Sequence, residues 1–182
     1  MLPIIMIIEN EQDRITISEI YTEYKNYMFA VALSHLKDKN LAEDIVSQAV
    51  IKIIEKYKIY FSEICPKTKG LIGIIVRGLC IDHLRHKQAL TIEALEDYEN
   101  SLGDDSNIEN AVLSDEGYAD LIKIMNTLPA DYRDILILTY IYEMNDKDVQ
   151  NILCIKKDNY RKRLYRAKQA LKNKLERGGY TL

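Results

Sequence analysis

The sequence predicts an all-α protein built from two small helical domains joined by an acidic flexible linker, and three observations lead to that prediction. Apolar residues recur at intervals of three and four along most of the chain, which is the spacing of a helix face. The 182 residues are 47% hydrophobic and 29% charged, which suits one medium or two small domains. Residues 88–116 contain many Asp and Glu but no Lys or Arg, which is typical of a linker. We therefore expect domains at residues 1–87 and 117–182.

The apolar N-terminus, MLPIIMII, is too short to span a membrane and lacks the basic region and cleavage site of a signal peptide. We expect a helix start or an arm that packs on the body of the domain, and no membrane insertion. The three cysteines, Cys65, Cys80 and Cys154, lie far apart without a CxxC pair. That usage fits a reduced, cytoplasmic protein.

Two helices are predicted in the first half of the chain before residue 60. The first, over 16–36, is amphipathic, and we expect its core face to hold Ile17, Tyr21, Tyr24, Met28, Val31 and His35. The second, over about 40–57, has a wide apolar stripe, yet Ile51 falls on its polar face. Scattered exposed aliphatic residues are ordinary, but an Ile among carboxylates also describes a protein-docking patch.

A third helix is predicted from about Thr68 to Lys87 although it contains Gly70, Gly73 and Gly78. Each glycine would cost about 1 kcal/mol relative to Ala unless close packing compensates. Cys80, His83 and His86 recur every third residue and could in principle collect a metal, but surrounding cations oppose a divalent ion, so we expect no metal site.

A helix-turn-helix is predicted between Leu128 and Lys168. A helix opens at Leu128-Pro129, Asn145 is placed to cap a short helix, and a second helix begins near Lys156. The second helix has a core stripe and otherwise mostly basic faces. A solvated helix with cations at the negative end of its dipole would give the same charge pattern, but the turn geometry favours a helix that enters the major groove of DNA.

These residues resemble a known family at three places. Leu128-Pro129, Arg133 and the ending RLYRAK are similar to the −35-binding domain of extracytoplasmic-function sigma factors. The string AEDIVSQA resembles the family's segment that binds core RNA polymerase, and IVRGLCIDHLR resembles its −10 element. The family usually has Gly where Cys154 stands and Thr-Val at Asn159-Tyr160, so we expect an altered turn at Cys154 and Tyr160 in the core.

The resemblance implies an alternative sigma factor that binds the clamp helices and flap of the large subunits of RNA polymerase core and reads promoter DNA. The resemblance is also compatible with an anti-sigma factor as a further partner. It implies −35 contacts from Lys156, Lys157, Asn159, Arg161, Lys162, Arg163 and Arg166. It implies −10 contacts from Arg77, Asp82, His83, Arg85, His86 and Lys87, and polymerase contacts from Asp44, Ile45, Gln48 and Ile51.

Two other readings remain open from the sequence alone. An autonomous helix-turn-helix regulator would bind operators tightly without polymerase. An enzyme would need a glycine-rich phosphate loop, a nucleophile elbow or a converging acid–base pair, and the sequence has none of these patterns. We therefore expect neither a catalytic site nor a cofactor.

Overall fold

The computed structural model describes residues 3–61, 66–89 and 116–178, and each helix or turn of helix in those ranges belongs to an all-α architecture. The chain divides into two compact units, Met1–Glu93 and Ala94–Leu182, which are described separately below. Residues 88–116 lie almost wholly outside the described residues, so the flexible linker and the domain boundaries stay predictions. Within the described ranges, no helix is both long and apolar enough to cross a membrane.

The first unit consists of a short 3₁₀ helix, Pro3–Ile7, and three long helices: α1 Glu11–Leu36, α2 Lys39–Tyr60 and α3 Pro66–Ala89. Asn10 caps α1 because its side-chain oxygen accepts a hydrogen bond from Asp13 N at 2.9 Å. Lys37 follows α1 as its C-cap and takes a left-handed conformation with φ 57°. Asp38 follows directly, and its Oδ1 accepts hydrogen bonds from Asn40 N and Leu41 N in the first turn of α2. A sharp reversal therefore places α1 and α2 side by side, and α3 packs on both.

The core of this unit agrees with the predicted helical periodicity but is rotated relative to the predicted stripe of α1. Ile17, Ile20, Tyr24, Met28 and Ala32 are buried on α1. The predicted core residues Tyr21, Val31 and His35 are only half-buried, because they lie at the edges of this face. In α3, the residues from Leu71 to Cys80 are all buried. The N-terminal arm packs on the body as expected, since Ile5 is fully buried.

Gly73 lets α1 and α3 approach closely. A Cβ atom at this position would overlap the hydroxyl of Tyr27 on α1. The same tyrosine ring lies 5.4 Å from the ammonium of Lys69, a cation–π distance. Close packing therefore offsets the helix-propensity cost of Gly73, as the sequence required.

The second unit contains α4 Glu116–Asn126, α5 Ala130–Leu136, α6 Asp146–Ile152 and α7 Lys157–Arg177. The helix predicted from Pro129 is not uniform: it begins at Ala130 with Pro129 as its N-cap, and residues Ile137–Ile141 form a turn of π-helix. α5 packs on α7. On α5, the buried guanidinium of Arg133 donates two hydrogen bonds of 3.2 Å to one oxygen of Asp134. This pairing lets the two adjacent charges share the interior.

Candidate functional site

The turn between α6 and α7 has the geometry of a helix-turn-helix. Asn145 caps α6 as predicted, since its Oδ1 accepts from Asp148 N at 3.0 Å, while its Nδ2 donates to the Asp148 carboxylate at 2.8 Å. At the other end of α6, Cys154 has φ 53°, and Ile155 N donates to Gln150 O at 3.0 Å. The altered turn predicted for Cys154 is therefore wrong: the cysteine itself adopts the left-handed conformation usually taken by glycine.

Tyr160 holds α7 against the start of α6. Its ring is 2% exposed, which confirms that Tyr160 belongs to the core. Its hydroxyl donates a 2.8 Å hydrogen bond to Asp146 Oδ1 in the first turn of α6. Burial, and then the hydrogen bond with Asp146, raise the pKa of Tyr160 above its usual value, so the hydroxyl keeps its proton at neutral pH. One side chain thus links the two helices of the motif.

The N-terminal half of α7 presents cations to solvent. Six of the seven residues predicted to contact −35 DNA are exposed: Lys156, Lys157, Asn159, Arg161, Lys162 and Arg166. Arg163 is the exception because it is 7% exposed and lies next to the face that packs on the unit. Its side chain is therefore covered by the unit and is not open to a phosphate.

Helical geometry divides the exposed residues of α7 into two sides. Asn159, Lys162 and Arg166 share one side, while Arg161 and Tyr165 share the other. Tyr165 is 66% exposed, an aromatic surface that the residues predicted as DNA contacts did not include. Its spacing of four from Arg161 was the sequence signal that could have identified it.

The last turns of α3 hold the residues predicted to contact −10 DNA. Asp82 lies 3.6 Å from Arg85 Nη1 through one oxygen and 3.6 Å from His86 Nε2 through the other. His86 and Lys87 are exposed, and Asp82, His83 and Arg85 are half-buried. Arg77, one to two turns earlier, is 3% exposed and therefore belongs to the interior.

Cys80 precedes these polar residues on α3. It is fully buried, and burial raises the pKa of its thiol to about 12. A thiol in that environment stays protonated and is a poor metal ligand. Among the described residues, no group of three His, Cys, Asp or Glu side chains is arranged to hold a metal ion.

Three of the four residues predicted to contact polymerase lie on the outer face of α2. Asp44 and Gln48 are exposed, and Ile51 is 39% exposed, which confirms the exposed aliphatic residue expected there. Ile45 differs because it is 2% exposed and packs in the core. The exposed face is therefore formed by Asp44, Gln48 and Ile51, which follow one another at helical spacing.

Comparison with known proteins gives matches over both units. Residues 20–90 match the family model described as Sigma-70 region 2, and residues 118–171 match the one described as Sigma-70, region 4. The chain is 33% identical over 168 residues to the ECF RNA polymerase sigma factor SigM of Bacillus subtilis (strain 168), covering 90% of this chain and 97% of that protein.

A second relative and one solved structure extend the comparison. The ECF RNA polymerase sigma factor SigW of the same strain is 26% identical over 171 residues, covering 90% of both proteins. A co-crystal structure of the sigma factor RpoE with the anti-sigma factor NepR from Bartonella quintana aligns at 20% identity and a TM-score of 0.38, over 87% of this chain and 96% of that one.

Proposed function

This chain belongs to the ECF RNA polymerase sigma factors and directs promoter-specific transcription initiation, and we propose here which of its surfaces carries out each step. Three surfaces are assigned, one to each macromolecular contact that initiation requires. The observation that carries the proposal is the exposed cationic N-terminal half of α7, which directly follows a helix-turn-helix turn closed by Cys154.

The −35 element is read by the N-terminal turns of α7. Lys156 and Lys157 stand at the tip of the helix, where a recognition helix reaches deepest into the major groove. Lysine and arginine side chains there can donate to the acceptor edge of guanine, and the helix N-terminus favours phosphate. Arg163 is left out of this surface because it is buried. Its contribution is to the packing of α7.

The −10 element is contacted by the end of α3 through Asp82, His83, Arg85, His86 and Lys87. The carboxylate of Asp82 lies between Arg85 and His86, which supports a role in orienting those two side chains toward DNA. Arg77 is again a buried residue and contributes to the packing of α3. The exposed cations at the end of α3 are assigned to DNA and the buried Arg77 to packing, because only a solvent-facing cation can bind a phosphate.

Core RNA polymerase is bound through the outer face of α2, with Ile51 at the centre and Asp44 and Gln48 beside it. An exposed aliphatic residue with polar neighbours has the composition of a small interface core with a polar rim. By resemblance to the family, this face meets the clamp helices of the largest subunit, and the second unit meets the flap. The protein would carry out this role in the cytoplasm, where an anti-sigma factor could cover the same surfaces.

Co-purification of the chain with core polymerase, followed by run-off transcription on a library of promoters, tests the proposal. We expect a stable complex with core and transcripts that depend on both promoter elements. Tight binding to DNA by the isolated chain, with no association with core, would overturn the assignment and favour an autonomous regulator.

A −35 library separates base readers from phosphate contacts on α7. Replacing Lys157 or Arg161 by Ala should cost about 1–3 kcal/mol at particular base pairs and change the preferred sequence. Replacing Arg166 or Lys168 should weaken all promoters about equally and reduce the dependence on salt. If the first pair lowers output uniformly without changing base preference, the recognition surface has been misplaced.

A further inference from the structure

The outer face of α1 carries an open groove that none of the three assigned surfaces uses. It has a volume of about 790 Å³ and is lined by Met6 of the N-terminal arm and by Arg14, Ile15, Ser18, Glu19, Thr22 and Glu23 of α1. All of these residues belong to the first unit. The groove therefore does not depend on the arrangement of the two units.

The floor of the groove is apolar and open to solvent. Met6 is 62% exposed and Ile15 is 44% exposed; Ile7, which follows Met6 in the arm but does not line the groove, is 75% exposed. These three account for half of the large hydrophobic side chains that stand exposed in the described part of the chain. Ile5 is fully buried in the same arm and fixes the arm in place. The neighbouring exposed side chains are thus held at a defined position.

The charged residues that line the groove are two carboxylates, Glu19 and Glu23, and one cation, Arg14, so the net charge of the lining is negative. Glu19 and Glu23 are separated by one helical turn, both are exposed, and neither makes an ion pair with another described residue. Acidic residues also outnumber basic ones over residues 9–25, from Glu9 to Lys25. Carboxylates at this spacing repel phosphate and anionic lipid but attract Lys or Arg side chains.

We propose that this groove binds a basic amphipathic helix of a partner protein, with apolar side chains against Met6 and Ile15 and Lys or Arg side chains against Glu19 and Glu23. The open shape suits a helix laid along α1 better than a small molecule, which needs an enclosed site. Because Glu19 and Glu23 are negatively charged, they favour a positively charged partner helix. The acidic segment 88–116 of this chain is therefore excluded as the occupant. The site is distinct from the polymerase and DNA surfaces assigned above.

The test uses the full-length chain and labelled synthetic helices of about 18 residues, or five turns. One peptide places Leu at helical spacing with Lys elsewhere, a second replaces Lys by Glu, and a third has the composition of the first in scrambled order. Fluorescence anisotropy at several salt concentrations measures their dissociation constants. We expect the ordered Leu/Lys peptide to bind at least about tenfold more tightly than either of the others.

Variants of the chain locate the binding site. Ile15→Asp should weaken the Leu/Lys peptide about tenfold because it removes apolar floor and adds a charge. Glu19→Lys with Glu23→Lys should remove the preference for Lys over Glu and reduce the salt dependence. Glu43→Lys on α2 is the matched charge control and should leave the preference in place, since Glu43 is exposed but does not line the groove.

The outcomes are decisive in both directions. Loss of binding in the groove variants, with circular dichroism unchanged and the control intact, supports the proposal. If the Leu/Lys peptide binds wild type and groove variants equally, it binds carboxylates elsewhere on the chain, and the proposal is overturned. Equal binding of ordered and scrambled peptides, or binding of phosphatidylglycerol vesicles instead, would also overturn it. If Ile15→Asp proves unstable, the exposed Met6→Asp tests the same floor.

Discussion

Removing the hydroxyl of Tyr160 should loosen the helix-turn-helix without unfolding it. In the wild-type chain this hydroxyl donates a 2.8 Å hydrogen bond to Asp146 Oδ1, while the ring is 2% exposed. Tyr160→Phe keeps the ring and removes the hydroxyl, and with it this bond to Asp146 and the hydroxyl's contact with Thr139. The bond joins the first turn of α6 to the first turn of α7, so its loss acts on the angle between them.

The size of the effect follows from the two partners. A hydrogen bond to a charged acceptor contributes about 1.5–3 kcal/mol. Asp146 is exposed, however, so water replaces the lost hydroxyl at the carboxylate, and the loss falls to the lower end of that range or just below it. We expect Tyr160→Phe to destabilise the second unit by about 1–1.5 kcal/mol. Tyr165→Phe is the matched control on the same helix, and because Tyr165 is 66% exposed it should change stability by less than about 0.5 kcal/mol.

The bond also gives a pH signature with a defined sign. The pKa of Tyr160 is raised in the folded chain above its ordinary value near 10, so folding favours the protonated hydroxyl. The stabilisation is therefore complete below about pH 10 and is lost as the pH rises through the raised pKa. The stability difference between wild type and Tyr160→Phe should be constant at neutral pH and should shrink above pH 10.

Urea unfolding followed by circular dichroism measures these differences, because the chain has no tryptophan to report on folding. Hydrogen exchange of the α7 amides assigns the change to the second unit. A double-mutant cycle with Asp146→Ala should give a coupling of about 1 kcal/mol between the two side chains. Additive effects within about 0.3 kcal/mol would refute the idea that this bond couples α6 to α7.

Three further predictions concern the first unit. Gly73→Ala should destabilise it by about 1–3 kcal/mol, because the added methyl overlaps the Tyr27 hydroxyl; Tyr27→Phe in the same chain should recover part of the loss in urea unfolding. Cys80 should resist alkylation by iodoacetamide until the chain unfolds, since burial raises its pKa to about 12. Peptide mapping distinguishes it from Cys65 and Cys154, and rapid labelling of Cys80 itself in the folded protein would contradict its placement. Ile51→Glu or Asp44→Arg should weaken co-purification with core polymerase while circular dichroism stays unchanged; undiminished binding would remove α2 from the proposed docking surface.

Local patterns in the sequence determined most of the helices and several of their ends. The spacing of apolar residues predicted α1, α2, α3 and α7, because a helix that packs on one side must repeat its apolar residues at that spacing. The cap at Asn145 could also be predicted from local sequence, because a capping side chain accepts a hydrogen bond from an N–H only three residues away. Exposure of Ile51 followed from its position on the polar face of α2.

Tertiary packing decided which cations face solvent. Arg163 lies in the basic sequence of α7, and Arg77 lies in the −10 motif of α3. Neighbouring residues in both segments are exposed, yet these two arginines are buried. Arg163 is three positions after Tyr160 and therefore only about 60° around the helix from the core stripe. Whether such a flanking residue is buried depends on where the neighbouring helix packs. The spacing of apolar residues within one helix does not contain that information. The same limit explains the buried Ile45 in the polymerase-binding string.

The backbone conformation and close contacts at single positions could not be predicted from the sequence either. Cys154 has a left-handed φ although a side chain there is unfavourable by about 1–2 kcal/mol, because the bonds that close the turn outweigh that cost. Gly73 is required only because the Tyr27 ring of another helix approaches it. The sequence by itself determined most of the helices, the cap at Asn145 and the family motifs, since those depend on neighbours within one or two turns. The tertiary structure alone decided which side chains of the motifs reach a partner, since that depends on residues far away in the chain.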